Sequence, residues 1–256
     1  YGSLHAKKLI TKEYFVELQK EGASSQELKI LLLSDLHLGY IQGEKEVRDI
    51  VGAINKQEPD LVVMVGDIFD GDIHSIKNPK WILDLLRDIH APHGVYASLG
   101  NHDAGSSFPQ MVDFLKEANI TLLMDEYIIL ENQLLIAGRR DSSPIGDQGS
   151  KREPLILPLD NQLPVIVLDH QPGNTDEYGK EVDLLLSGHT HRGQLFPFQW
   201  ITSAVYEVDY GYYRRDETSP HVIVSSGVGT WGPPLRTSSD NEIVIIHLSI
   251  KSPIQP

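Results

Sequence analysis

The chain has 256 residues, 40% of them apolar, enough to bury the core of one large domain or two small ones, which excludes a disordered or fibrous protein. With 22 basic against 36 acidic residues it carries a formal charge of −14 and repels nucleic-acid backbones and anionic membrane surfaces, so long nucleic acid is not an expected partner. Cysteine is absent and histidine occurs 11 times, which excludes disulfides and thiolate metal sites and leaves nitrogen and oxygen ligands for any metal.

In chain order, no run of about 18 uncharged apolar residues occurs, so no membrane span is expected. The sequence opens on Tyr1 without a charged-then-apolar signal segment, and a fragment or processed product is expected. Residues 9–19 mix apolar and charged side chains without a clean period. Short apolar runs flanked by glycine, proline or aspartate then predict buried strands at Ile30 to Leu33, Leu61 to Val65, Val95 to Leu99, Val165 to Leu168 and Leu184 to Leu186. Between the first two, Glu44 to Gln57 places Val47, Ile50, Val51 and Ile54 on one helical face. Further helices are predicted near Trp81 to Ile89 and Pro109 to Ala118, giving the β-α-β rhythm of an α/β domain.

After about Ile120 the pattern turns to strands without long helices: Tyr127 to Leu130, Leu134 to Ala137, Val205 to Tyr213, His221 to Val224 and Ile243 to Leu248. A second, largely antiparallel sheet is the simplest expectation. Arg139 to Asn161, rich in glycine, proline, serine and charge, reads as a long excursion of the functional or mobile kind. With no internal repeat, low-complexity tract or linker, a single domain over residues 1–256 is expected.

Chemistry-bearing residues gather just after the strands. Asp35 and His37 follow the first, spaced so that an extended backbone puts both on one side. Gly66-Asp67-Ile68-Phe69-Asp70 follows the second, and Gly100-Asn101-His102-Asp103 the third. Asp169-His170-Gln171 and Ser187-Gly188-His189-Thr190-His191 repeat the theme in the second half. Each alone reads as readily as a helix cap or an aspartate-rich turn. Five in succession do not, because ligands of open α/β sheets gather at the carboxyl ends of the strands, and clustered like groups are costly without a use.

These five blocks, in this order, resemble the calcineurin-like metallophosphoesterase superfamily over about Ile30 to Leu248. Ser34 to Gly39, Gly188 to His191 with Gly193-Gln194, and the tail Gly227-Val228-Gly229-Thr230 to Leu235-Arg236 are similar to its bacterial branch of YkuE and YaeI type, often exported or membrane-associated. Arg192 departs from that branch, which usually has glycine there. The resemblance implies a four-layer α/β/β/α sandwich of two mixed sheets, with residues 1–28 as an N-terminal edge segment, an edge strand within 9–19, and a catalytic core of about 29–250. It also implies two divalent metal ions, with Mn, Fe and Zn left open. Asp35, His37 and His191 would hold one, Asn101, His170 and His189 the other, and Asp67 would bridge them. A metal-bridging hydroxide would attack phosphorus in line, His102 would stabilise phosphoryl oxygens or protonate the leaving group, and Asp70 would orient His102.

Arg192, Arg139 and Arg140 are candidates for gripping substrate phosphate, Arg192 foremost because it follows His191. Trp231, Gly232 and Pro233 are candidates for one wall of the cleft. His5, His74, His90, His93, His221 and His247 are read as surface or core residues, with His74 close enough in sequence to Asp70 to be checked. The leading expectation is a dinuclear phosphoesterase acting on a small phosphoester. The alternatives are a pyrophosphatase acting on a nucleotide-linked sugar or lipid of UDP-diacylglucosamine type, and a catalytically silent binding module of the same fold. Kinship also implies a membrane anchor upstream of these residues.

Overall fold

The computed structural model describes residues 2–21, 24–146, 148, 151–158 and 162–252. Tyr1 and parts of the 139–161 excursion (147, 149, 150 and 159–161) lie outside the described residues. After a short helix α1 (Gly2–His5), six strands form the first sheet: β1 (Leu9–Gln19), β2 (Gln26–Leu33), β3 (Leu61–Val65), β4 (Val95–Ser98), β5 (Ile120–Leu122) and β12 (Asn241–Lys251). Their order is β1-β12-β2-β3-β4-β5, with β2 to β5 mutually parallel and β1 at one edge, parallel to β12. The second sheet comprises β6 (Glu126–Leu130), β7 (Leu134–Gly138), β8 (Val165–Leu168), β9 (Leu184–Ser187), β10 (Gly211–Tyr213) and β11 (His221–Val224), in the order β10-β11-β9-β8-β7-β6.

That second sheet corrects one expectation. Its four central strands are parallel and only the outer pairs β10/β11 and β6/β7 are antiparallel. The physical reason is visible in the runs themselves: β7, β8 and β9 are buried at every position, as parallel strands covered on both faces are. Two further boundaries differ. Ile243 to Leu248 belongs to the first sheet, where β12 runs antiparallel to β2. Val205 to Tyr213 is a strand only at Gly211–Tyr213, and the preceding Gln199–Val205 is helix α5.

Apolar periodicity explains the layers. Helices α2 (Glu44–Lys56), α3 (Pro79–Arg87) and α4 (Phe108–Glu117) each bury one stripe. Val47, Ile50, Val51 and Ile54 of α2, at the i, i+3, i+4, i+7 spacing, pack with Leu31, Leu33 and Val62 on the outer face of the first sheet. Alternate residues point the other way, so Ile30, Leu32, Val63 and Val65 meet Ile136, Ile166, Leu168 and Leu184 between the sheets. On the far face of the second sheet, Leu135, Val165 and Leu185 are covered by Tyr178, Val182 and Val208 from short turns and loops, so the fourth layer is thin. Because β2, β3 and β4 are parallel, and β8 and β9 likewise, their carboxyl ends converge on one edge of the sandwich.

Candidate metal centre and catalytic cleft

Backbone hydrogen bonds carry the strand ladder past the strand ends and fix the loops that bear the histidines and carboxylates. Asp35 N donates to Gly66 O (3.1 Å), His37 N to Asp67 O (2.9 Å) and Gly188 N to His170 O (3.0 Å). The two sheets are tied together at the site by His189 N, which donates to Asp35 Oδ1 (3.1 Å), and by His170 Nδ1, which donates to Val65 O (2.9 Å). Asp35, His37, Asp67, His189 and His191 all adopt left-handed backbone conformations, with φ between 49° and 72°. Such positions cost about 1–2 kcal/mol each and persist where surrounding contacts over-determine them, typically at functional sites.

Two glycines make the approach possible. At Gly66 (φ +68°) a Cβ would lie 2.6 Å from the His170 ring. At Gly100 a Cβ would fall 2.2 Å from both the nitrogen and Oδ1 of Asp67. Asp103 ties these loops together, accepting from Phe69 N (2.8 Å), Gly100 N (2.9 Å) and Ile68 N (3.2 Å). Burial and the nearby Asp67 push its carboxyl up to about 7.

The expected ligands come together. Ligand atoms of Asp35, His37 and His191 lie within 4.8 Å of one another, and so do those of Asp67, His170 and His189. Asn101 joins the second group through Oδ1, 2.9 Å from His189 Nδ1. Asp67 stands between the groups: its Oδ2 is 3.2 Å from His170 Nε2 and 3.7 Å from His37 Nε2. Asp70 lies between two imidazoles, its Oδ1 3.6 Å from His37 Nδ1 and 3.9 Å from His102 Nδ1. It is therefore nearer to His37 than to the His102 it was expected to orient. His102 anchors Asp67 through its backbone, whose N–H donates to Asp67 Oδ1 (2.8 Å), and its ring lines the cleft.

The protonation chemistry is that of a cation site. Burial would push the His170 imidazole down, but Asp67 beside it, with Asp35 and Asp141, holds it well above its ordinary value. His37 is likewise raised, since Asp70, Asp67 and Asp35 outweigh its burial. Burial and the charge of His170 push His189 down to about 4, and burial with Arg236 holds His191 well below its ordinary value. Asp67, though fully buried, is held well below the usual carboxylate range by His170 and His37. The donor set fits divalent metal ions. His37 Nδ1 is buried without a hydrogen-bond partner, His170 Nε2 is buried facing only the Asp67 and Asp35 carboxylates, and His37 Nε2 sits 3.2 Å from His191 Nε2 with Asp35 and Asp67 carboxylates alongside. Nitrogen and carboxylate ligands crowded in this way suit first-row dications.

The expected arginine grips are corrected. Arg139 is buried and pairs with Asp125 (3.2 Å) and Glu177 (3.7 Å), and Arg140 Nε lies 3.9 Å from the same Asp125. Asp125 holds the buried Arg139, and neither Arg139 nor Arg140 is among the residues lining the cleft. The Arg192 guanidinium stacks over the Tyr210 ring, 4.5 Å from its centroid. His74 is exposed and is not among the clustered ligands. Trp231 and Pro233 do line the cleft.

Sequence reasoning assigned no role to three groups that shape the site. Arg236 is completely buried and donates toward His191 Nδ1 (3.1 Å). Asp103 sat inside a recognised block without a role. Arg152, from the excursion, donates to Asp169 beside His170 (2.7 Å), where Tyr178 also donates (2.5 Å). A charged residue in a Gly/Pro/Ser-rich stretch carries no periodic signal, so only the fold reveals these partners.

Comparison with known proteins agrees with this geometry. A family model described as calcineurin-like phosphoesterase matches residues 28–193. An uncharacterised metallophosphoesterase of Aquifex aeolicus is 35% identical over 255 residues, covering 98% of this chain and 96% of its own length. YkuE of Bacillus subtilis, another uncharacterised metallophosphoesterase, is 31% identical over 231 residues, covering 86% of this chain and 78% of the relative. Several relatives are longer, and the chain spans about three fifths of their length or less. The solved structure of a putative 5'-nucleotidase from Staphylococcus aureus, in complex with alpha-ketoglutarate, superposes with a TM-score of 0.50 at 13% identity, over 90% of this chain and 56% of that one. At that identity the likeness concerns the fold alone. The convergence of buried carboxylates and imidazoles at one sheet edge thus has a family to explain it, and the chain belongs to the calcineurin-like phosphoesterases, metal-dependent hydrolases of phosphoesters.

Proposed function

We propose that this chain hydrolyses a small phosphoester at a two-cation centre held by Asp35, His37 and His191 on one side, by Asn101, His170 and His189 on the other, and by Asp67 in common. The observation that carries this reading is the position of Asp67 Oδ2 within 3.2 Å of His170 Nε2 and 3.7 Å of His37 Nε2, one atom addressing both ligand groups. A shared carboxylate offsets the repulsion between two dications. Bound cations of this kind supply Lewis acidity, lowering the pKa of water toward neutrality and neutralising charge on phosphoryl oxygens.

The chain's own residues do the rest. In the hydrolysis an oxygen–phosphorus bond forms from water, the ester P–O bond breaks in line, and the departing oxygen takes a proton. His102 is the group at the cleft suited to give it. Burial lowers its pKa in the free protein, and the negative charge of a bound phosphoester works in the opposite direction, favouring the imidazolium. Asp70, 3.9 Å from His102 Nδ1, supports that charge and also faces His37. With a formal charge of −14 over the whole chain, a ligand bearing a single phosphoester group suits the protein better than a long polyanion. Longer relatives include proteins named transmembrane protein with metallophosphoesterase domain, which supports work near a membrane. The deciding experiment is a phosphoester panel with protein stripped of metal by chelator and reloaded with Mn²⁺, Fe²⁺ or Zn²⁺. Turnover should vanish on stripping and return on reloading, and turnover by verified metal-free protein overturns the reading.

A further inference from the structure

The cleft in front of the ligand cluster, about 430 Å³ in volume, has a polar floor and an apolar side. The floor is made of imidazoles and carboxylates, including His37, Asp67, His102 and His189. The side is Ile145, Leu195, Phe198, Trp231 and Pro233. Three of these large apolar groups stand half in water, with Ile145 58%, Phe198 51% and Trp231 56% exposed. Just outside, Phe196 and Trp200 pack edge to face at 5.2 Å and are themselves mostly exposed. A compact polar ester makes no use of such a wall, and solvated apolar side chains collected at one pocket mark a binding surface.

The wall is also built firmly. The buried Gln194 side chain donates through Nε2 to Trp231 O (2.8 Å) and accepts at Oε1 from Trp231 N (2.9 Å). Gln194 O accepts from Thr237 N (2.9 Å), and Phe196 N donates to Thr237 Oγ1 (2.7 Å). Gln194 lies three residues after His191, so one turn sets both the ligand and the apolar wall. Aromatic and aliphatic groups are thereby presented at a fixed place beside the reacting phosphorus, the arrangement expected for a ligand with a charged head and an aliphatic body.

We propose that the substrate is an amphiphile, a phosphoester whose esterified group carries an aliphatic chain, with phosphorus at the ligand cluster and the chain along Ile145, Leu195, Phe198, Trp231 and Pro233. The proposal rests on the phosphoesterase reading of the same site and names its substrate class. The test is titration calorimetry of the Mn²⁺-loaded protein with hydrolysis-resistant n-alkylphosphonates, from methyl to decyl, below their micelle concentrations. The dissociation constant should fall about three- to fourfold for each methylene that the wall covers, then level off. Phe198→Ala and Trp231→Ala, which leave the backbone pairing of Gln194 with residue 231 in place, should flatten that slope. A dissociation constant independent of chain length overturns the proposal, and so does a slope that both variants leave intact, since the chain then binds elsewhere. Hydrolysis of p-nitrophenyl phosphate by the same preparation separates the two readings. If it proceeds while the phosphonate series is flat, the amphiphile proposal falls alone. If protein verified to hold metal hydrolyses no ester of any chain length, both fall.

Discussion

Arg236 places Nη2 3.1 Å from Nδ1 of His191, at the centre of a completely buried guanidinium cradle. The same Nη2 donates to the carbonyls of Ser226 (2.8 Å) and Gly229 (2.5 Å), while Nη1 reaches Ser239 Oγ (2.7 Å). Burial pushes the guanidinium down to about 10, still charged at neutral pH, and burial of His191 together with that charge holds the imidazole well below its ordinary value. His191 is thus kept neutral, the protonation state in which an imidazole can ligate a cation. Arg236→Met, of similar reach but without donors, leaves several buried carbonyls unmet. It should cost roughly 3 kcal/mol in urea denaturation and lower the metal content of the purified protein. Unaltered metal content in a stably folded variant would remove Arg236 from the site's support.

His102 contributes to the site twice, and one substitution separates the two roles. Its backbone N–H holds Asp67 Oδ1 at 2.8 Å whatever the side chain, whereas its ring faces the cleft. His102→Ala should therefore keep metal, measured by elemental analysis, while kcat on a phosphoester falls about 10²- to 10⁴-fold. Loss of metal on this change would assign His102 to the ligand set instead.

Metal uptake should be linked to protons. In the metal-free protein, carboxylates hold the His170 and His37 imidazoles above their ordinary values, so at neutral pH a cation has protons to displace there. The sign follows directly: acidification adds protons to ligands and weakens binding, and raising the pH strengthens it. Mn²⁺ added at pH 7 in weak buffer should release protons, and the apparent Kd should tighten about tenfold per pH unit for each proton displaced. His189, at about 4, adds nothing to this dependence near neutrality. A Kd constant between pH 6 and 8 would contradict the coupling.

Gly100→Ala tests how closely the loops must pack. The added carbon would fall 2.2 Å from the nitrogen and Oδ1 of Asp67, both rigidly held, so the Asp67 carboxylate has to move. We expect a loss of about 2 kcal/mol in thermal or chemical unfolding, together with weaker metal binding. Wild-type metal affinity in this variant would mean that the Asp67 loop is more compliant than its hydrogen bonds imply.

The arginines outside the cleft make a contrasting pair. Arg139→Met leaves the buried Asp125 short of a partner and should destabilise the fold by roughly 3 kcal/mol. Arg192→Ala removes only an exposed stack on Tyr210, and its KM for a small phosphoester should shift less than about threefold. A tenfold rise in KM for Arg192→Ala would return that residue to substrate binding.

The candidate ligands were legible because each sits within five residues of a short apolar run, and parallel strands must discharge their loops at one edge. Helices α2, α3 and α4 were legible for a similar reason, since one apolar stripe such as Val47, Ile50, Val51 and Ile54 has a period that no strand shares. The parallel pairing of β7, β8 and β9 was not, because short connections without long helices look alike whether the next strand turns back or crosses over. The destination of Arg139 was equally hidden: its partner Asp125 lies 14 residues earlier and acts as a partner only because both are buried together.

By itself, then, the sequence determined which residue types reach the site and which ligand chemistry they offer, because spacing after a strand is a local property. Only the tertiary structure decided that Asp67 lies between two ligand groups, that Arg236 stands behind His191, and that Gln194 holds Trp231 against the cleft. These relations join residues 30 to 103 positions apart in the chain. What fixes them is the packing of two sheets face to face, with left-handed backbone at five candidate ligand positions held in place by contacts that no local pattern encodes.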